Sequence, residues 1–315
     1  YQVHGVKRRT STPNTSRIDH IFDSVNFKNK NLIMHHGDLS DVGSLNRIIN
    51  DVNPDEIYNL AAQSHVKISF QIPEYTSDVN ALGTLRLLEI IRHYKKKKIK
   101  FYQASSSEMF GKSKPPQNEK TLFQPRSIYA ISKVFAYHSV IHYRDAYELY
   151  ACNGILFNHE SPRRGVNFVT KKIVQGLVRI KQGKQKMLIL GNLYSRRDWG
   201  HANDYVGSMW KILQQKKAND FVIATKTSNS VKDFINICAK KLNIKLIWKN
   251  KGLKEIAINK LTNKTIIKVD QKYFRETEVD NLIGDFSKAR RLLKWKPKYS
   301  FDKLIDDMIN NELND

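Results

Sequence analysis

Tyr129 and Lys133 stand four residues apart in "YAISK" (129–133). That spacing puts two side chains on one face of a helix. A tyrosine hydroxyl titrates near pH 10 and is a poor base at neutral pH. An ammonium beside it stabilises the phenolate and lowers that value. Such a pair can take the proton of a sugar hydroxyl while hydride leaves the same carbon. The string Tyr-x-x-x-Lys is common, but this one stands 23 residues after Ser106, in "QASSSEMFG" (103–111). Ser106 offers a hydroxyl to the same oxygen, and Glu108, two residues on, offers a carboxylate. A reductase or an epimerase needs only Tyr, Lys and the hydroxyl. Once a carbon is a ketone, however, the proton on its neighbour becomes acidic, and a carboxylate can remove it. Glu108 therefore points to an elimination following an oxidation.

A second set of residues suits a dinucleotide. The strand pattern "YQVHGV" (1–6) runs into Lys7, Arg8, Arg9, Thr10 and Ser11, with no acid at that point. In dinucleotide folds an acid there binds the ribose 2′-hydroxyl, whereas Arg accommodates a 2′-phosphate. Guanidinium meets phosphate with two parallel hydrogen bonds, so NADP is expected over NAD. In "GDLSD" (37–41), Asp38 can meet an adenine amino group with Leu39 against the ring. In "NLAAQSHV" (59–66), Leu60, Ala61, Ala62, Gln63 and Ser64 end a strand with mostly small residues, which let a cofactor approach the backbone.

These groups need a frame. Apolar strand patterns at 2–6, 31–39, 55–62, 99–106 and 151–158 alternate with helical ones at 42–52, 80–94 and 127–147. Strand and helix in alternation predict an α/β fold with a doubly wound parallel sheet of Rossmann type. Residues 1–160 are expected to form the NADP-binding domain. Residues 161–315, where the pattern loosens into mixed short elements and a helical tail at 301–313, are expected to form a smaller domain mainly for the substrate, with some segments returning to the sheet. A dinucleotide fold opens with a strand, a Gly-rich turn and a helix. The chain contains no such fingerprint, and "YQVHGV" behaves as a second strand. Roughly 25 residues carrying that unit are therefore expected ahead of Tyr1, and the chain as it stands is expected to be a poor enzyme.

Composition narrows the function classes. Among 315 residues, 40% are hydrophobic, enough for a packed core. No apolar run reaches the about 18–20 residues of a membrane span, and no secretory segment opens the chain. Cys152 and Cys238 form neither a disulfide framework nor a metal-ligand cluster, so a reduced, cytoplasmic protein without a metal is expected. The formal net charge of +24 invites a nucleic-acid reading. The excess is spread from end to end, and its densest run, "HYKKKKIKF" (93–101), reads as a solvated helix end. No helix-turn-helix, zinc finger or aromatic RNA platform is present, so no specific nucleic acid is expected.

Longer strings carry a resemblance. "YNLAAQSHV", "FYQASSSEMFG", "YACNGILFNHESPRRG", "RDWGHANDYV", "DFVIAT" and "KYFRETEV" are similar to the extended short-chain dehydrogenase/reductase family and, within it, to the GDP-mannose 4,6-dehydratases. The resemblance covers essentially the whole chain. It implies an NADP-dependent conversion of GDP-mannose to GDP-4-keto-6-deoxymannose, with Ser106, Glu108, Tyr129 and Lys133 as catalytic residues. Ser106 departs from the family's Thr, keeping the hydroxyl and losing a methyl group. The resemblance further implies cofactor contacts at Tyr75, His159 and Arg164. Asn158, Val169 and Lys172 match substrate contacts around the nucleotide. Arg197 and Arg275 match residues on the diphosphate, with Glu278 beside them. In the family the "RRTS" loop also joins a tetramer interface at a neighbour's cofactor, so a homo-oligomer, dimer or tetramer, is implied. The stretch between "GLKEIA" (252–257) and "IIKVD" (266–270) looks like a shortened family loop. Two other readings stand beside this one. A dTDP-glucose dehydratase usually has Asp-Glu where this chain has Ser107-Glu108, and an epimerase lacks the acid. A noncatalytic nucleotide-binding fragment leaves the conjunction of Tyr129, Lys133 and Glu108 without a reason.

The basic loop yields a direct test. Replacing both Arg8 and Arg9 with Ala is expected to weaken NADP far more than NAD in a binding titration. Each charge-assisted bond contributes about 1.5–3 kcal/mol, so the pair is worth on the order of 100-fold or more. Equal losses for the two cofactors would remove these residues from the 2′-phosphate site.

Overall fold

The computed structural model describes residues 1–12, 14–21 and 31–314. Strand β1 (Val3–Lys7) pairs in parallel with β2 (Leu32–His36). Helix α1 (Val42–Val52) is capped by the Asp41 side chain, which accepts from the Gly43 and Ser44 amides, and it buries Leu45, Ile48 and Ile49. After β3 (Glu56–Asn59), α2 (Pro73–Ser77), one π-helical turn (Asp78–Leu82) and α3 (Gly83–His93) follow one another without a break. Next come β4 (Lys100–Ser106) and α4 (Ile128–Tyr147). Ser127 caps α4 by accepting from the Ala130 amide, and Glu148 closes it with a positive φ of 53°.

The second half begins with β5 (Ala151–Leu156), β6 (Asn158–Glu160), α5 (Val169–Lys181) and β7 (Leu188–Leu190). It continues with β8 (Arg196–Arg197), β9 (Trp199–His201), α6 (Ala202–Leu213) and β10 (Phe221–Ile223). It ends with β11 (Asn229–Ser230), α7 (Val231–Lys241), β12 (Leu246–Lys249), β13 (Ile256–Asn259), β14 (Lys264–Val269), α8 (Ser287–Leu293) and α9 (Phe301–Asn314).

Among the described residues, the strand order β10-β5-β4-β3 makes one all-parallel sheet. Its strands bury both faces, as parallel sheets wrapped by helices do. Neighbouring residues on β4 go to opposite sides. Phe101 joins Leu87, Leu88 and Ile91 of α3 and Val140 of α4. Tyr102 joins Met209 and Ile212 of α6 and Leu293 of α8. This is the α/β, doubly wound arrangement expected from the alternation. Gly154 on β5 has a steric reason: a Cβ there would lie 2.1 Å from the Tyr102 hydroxyl.

The later segments divide their allegiance. β10, with α6 and α8 around it, belongs to the parallel sheet. The remainder builds a second core in which α5, α7 and α9 pack with the β12-β13-β14-β7 sheet. Trp199 stacks on Phe301 there, with planes 7° apart. The reading of 151–158 as one strand is corrected to two: β5 ends at Leu156, and the Phe157 amide donates to Ile223 O on β10 before β6 begins. No helix among the described residues is long and apolar enough to cross a membrane.

Asp220 fastens α4 to this sheet. It takes both Arg144 Nη1 (3.0 Å) and Nη2 (2.8 Å), together with the Asn153 amide (2.9 Å) and side chain (3.0 Å). Asp220→Ala would strand a mostly buried guanidinium. A loss of about 3 kcal/mol is expected in urea unfolding, at the low end for breaking such a pair. A change within about 0.5 kcal/mol, the range of ordinary surface substitutions, would show that the clamp carries no weight.

Candidate active site

In parallel α/β sheets, ligands bind outside the carboxyl ends of the strands. Here those ends carry the predicted residues: Leu60–Ser64 after β3, Ser106–Glu108 at β4, and Asn158–Arg164 after β5. β4 runs past β3. Gln103 is the last residue with a β3 partner, Asn59, and Ala104 lies beyond it. The Ala104 carbonyl takes a hydrogen bond from Lys133 Nζ at 2.9 Å. A Ser106 backbone in extended conformation lets its hydroxyl accept from the Glu108 amide at 3.2 Å. That bond starts the short 3₁₀ turn Ser107–Met109 and sets the carboxylate's base.

Tyr129 and Lys133 sit on α4 as the spacing required, and both are buried with Ser106 and Glu108. The electrostatics differ from expectation. Lys133 does not lower the phenol's pKa: its ammonium is spent on Ala104 and lies 6.0 Å from the Tyr129 ring centre. Burial instead raises the Tyr129 pKa, with the Glu108 charge adding to the rise, while hydrogen bonding from Ser106 and the Arg164 charge oppose it. Burial also pulls Lys133 down to about 8. Burial therefore favours the neutral phenol at Tyr129, with Ser106 as its hydrogen-bonding neighbour.

Glu108 faces two guanidiniums. Arg275 Nη1 lies 3.6 Å and Arg197 Nε 3.8 Å from its Oε1. Arg197 is anchored through Nη1 to the carbonyls of Arg196 (2.9 Å) and Val279 (2.7 Å). Glu278 accepts from Ser195 Oγ and from the Arg275 amide, both at 3.2 Å. The β6–β9 pairing sets Asn158 opposite Trp199 and His159 opposite Gly200. His159 bonds the Phe157 carbonyl at 2.8 Å and stacks on Tyr205, and its pKa is lowered by burial. Arg164 pairs with the buried Glu160 at 3.1 Å and lies over Phe168. Val169 opens α5 partly exposed, and Lys172 sets its ammonium 3.9 Å over the Tyr273 ring.

The other predicted residues form a separate, open group. Arg8 donates to the Tyr75 hydroxyl at 2.6 Å, so those two meet. Arg9, Thr10 and Ser11 are exposed, as are Leu60, Ala61 and Ser64, with Ala62 and Gln63 partly covered. Asp38 turns a carboxylate oxygen onto the amide and hydroxyl of Ser40. Leu39 is buried in the α1–α3 core, so its side chain is not open to an adenine ring as the sequence reading expected.

Two buried polar residues that brace the surrounding loops escaped the sequence reading. Asn80, buried in the π turn, accepts from the Gln63 amide (2.9 Å) and donates to the Gln63 carbonyl (3.1 Å) and Ser132 Oγ (3.2 Å). It ties the loop after β3 to the helix bearing Tyr129 and Lys133. Its signal was a buried-period polar residue inside an otherwise apolar helical stretch. Asp198 is fully buried, its pKa pushed up to about 6 by burial, and it accepts from Thr225, Lys226 and Gly284.

The sequence profile of the family described as GDP-mannose 4,6 dehydratase matches residues 1–308. The chain belongs to this family. It is 50% identical to the GDP-mannose 4,6 dehydratase of Drosophila melanogaster over 316 residues, covering 99% of this chain and 80% of that protein. It is 51% identical to GDP-mannose 4,6 dehydratase 1 of Arabidopsis thaliana over 317 residues, covering 99% of this chain and 83% of the relative. In three dimensions it resembles RMD from Pseudomonas aeruginosa complexed with NADPH, at TM-score 0.77 and 20% identity, covering 95% of both chains. It also resembles a dTDP-glucose 4,6-dehydratase from Bacillus anthracis in complex with NAD, at TM-score 0.79 and 20% identity, covering 100% of this chain and 89% of that one. Those two likenesses establish the family's fold in this chain.

Burial of Lys133 sets a pH test. Unfolded, a lysine titrates near 10.4; folded, Lys133 titrates at about 8. Between those values the unfolded chain holds a proton that the folded chain has released, so stability at this position rises with pH there and is flat below. In urea unfolding, wild type is expected to gain on Lys133→Met between pH 7.5 and pH 10. A constant difference would mean that Lys133 titrates normally in the folded protein.

Proposed function

We propose that this protein converts GDP-mannose to GDP-4-keto-6-deoxymannose and water, as a lyase using NADP. The observation that carries the reading is the shared burial of Ser106, Glu108, Tyr129 and Lys133 at one strand end, with Arg197 and Arg275 beside the acid. An epimerase has no use for a buried carboxylate there. Ser107 in place of an Asp argues against the dTDP-glucose branch.

The residues present suit the two ends of a nicotinamide dinucleotide. Arg8, joined to Tyr75, with Arg9, Thr10 and Ser11, offers guanidinium and hydroxyl donors to a 2′-phosphate. Asp38, the Leu39 backbone and the open segment Leu60–Ser64 would receive the adenosine, and Lys133, His159 and Arg164 the nicotinamide end. When bound, the nicotinamide supplies the acceptor for the hydrogen taken from C4 and the donor of the hydrogen returned to C6.

The chain's own groups move the protons. Tyr129, once ionised, takes the C4 hydroxyl proton, with Ser106 holding the same oxygen and the Arg164 charge favouring the phenolate against burial. Glu108 then takes the C5 proton, now acidic beside the C4 ketone, and the C6 hydroxyl departs as water. The C5 proton held by Glu108 leaves on the departing C6 hydroxyl as water, and the proton Tyr129 drew from the C4 hydroxyl goes to C5 as C6 is reduced, which restores Tyr129. Arg197, Arg275 and Glu278 would fix the diphosphate, and Asn158, Val169 and Lys172 the nucleoside. We place the dinucleotide on residues 1–160 and most of the nucleotide sugar on 161–315. The exposed Arg8–Ser11 loop suits a homo-oligomer in which it also meets a neighbour's cofactor. Two buried free cysteines, Cys152 and Cys238, suit the reducing cytoplasm.

Glu108→Gln should stop dehydration while allowing C4 oxidation, since that step needs Tyr129, Lys133 and Ser106. In a single turnover, absorbance in the reduced nicotinamide band is expected to rise and stay, with no keto-deoxy product. Unimpaired product formation would remove Glu108 from its role.

A further inference from the structure

Without a ligand, the two arginines that suit the diphosphate both face Glu108. Neither makes another ion pair among the described residues. Their geometries are unequal. Arg197 is fixed by two backbone carbonyls and its side chain is 8% exposed, whereas Arg275 is 28% exposed. Both contacts to Glu108, at 3.8 and 3.6 Å, are too long for hydrogen bonds. They are electrostatic and open to exchange. The other nearby acid, Glu278, is already held by Ser195 and the Arg275 amide. Among the described residues Glu108 is hydrogen-bonded only through its backbone amide, to Ser106 Oγ, so its carboxylate is the movable partner.

From this we infer that Glu108 is the resident anion of the diphosphate seat: a nucleoside diphosphate and the Glu108 carboxylate compete for Arg197 and Arg275. The inference rests on the proposed function for the identity of the ligand. Diphosphate, with its larger charge and bidentate geometry, displaces the carboxylate. Glu108 is thereby released toward the sugar only when the rest of the substrate is seated. Binding energy from a remote part of the substrate is in this way used at the reacting carbon. The specificity is for a sugar carried on a diphosphate, because a free sugar or a nucleoside leaves the acid paired with its arginines.

The competition is measured by binding alone. GDP is titrated calorimetrically into wild type, Glu108→Gln, Arg275→Gln and the double variant, with guanosine as the control. Glu108→Gln is expected to bind GDP on the order of 5-fold tighter or more, the lower bound of ordinary coupling between sites, with guanosine unchanged. The gain should shrink in the Arg275→Gln background. Glu108→Ala should reproduce it, which separates charge removal from any local effect of the amide. If wild type binds GDP and neither Glu108 variant gains, the inference falls while the proposed function stands. If no protein of the set binds GDP, both fall.

Discussion

The parallel ladder β3-β4-β5-β10 governs this molecule because parallel strands end on one side. Ser106 and Glu108 sit at or just beyond such an end, and Tyr129 and Lys133 on a helix packed across the sheet. The ladder is also uneven. β4 continues past β3, and the Ala104 carbonyl beyond that point is the partner of the Lys133 ammonium. A strand that ended before Ala104 would leave a buried ammonium without its acceptor. A strand shifted by one would turn Ser106 away from Tyr129, since side chains alternate along a strand. Asp220 holds this register from below by binding α4 through Arg144 and β5 through Asn153 in one buried cluster.

The cost of that placement is electrostatic. Burial raises the Tyr129 pKa and lowers that of Lys133, so each is pushed toward its neutral form. Helical spacing alone suggested the opposite for the phenol. Two side chains on one face of a helix are neighbours at their bases, but a lysine long enough to reach the phenol is also long enough to reach a carbonyl. In this state the carbonyl has it. Nearby Arg164 and the Ser106 hydroxyl are what oppose the rise of the phenol's pKa.

Much of the frame was legible because it is written in local signals. The helix at 42–52 announces itself by Asp41 ahead of an apolar period, and α4 by Ser127 ahead of another. The four residues proposed for catalysis could be singled out because residue type and spacing limit the chemistry. What escaped depended on contacts between distant segments. Nothing local tells Leu39 that α3 will cover it, or that Phe157 will be drawn to Ile223 and split a strand in two. Asn80 looks like a poor helix residue until the π turn places it between Gln63 and Ser132. Asp198 looks like a surface acid until two segments close over it.

Asn80, Asp198 and Asp220 share a physical trait. Each satisfies backbone groups that regular structure leaves unpaired. Asn80 completes the loop after β3, Asp198 takes amides from the turns at 225–226 and 284, and Asp220 takes that of Asn153. A buried amide without a partner costs about 1–3 kcal/mol, so such loops hold their shape only while the acceptor stays. The residues proposed for the chemistry are few, and stand at the end of β4 and on α4. Their positions are then inherited from polar residues that touch no ligand. A substitution at Asn80 would act on Tyr129 through Ser132, one turn of α4 away. The active site is therefore larger than its chemistry, and its outer part is made of buried hydrogen bonds.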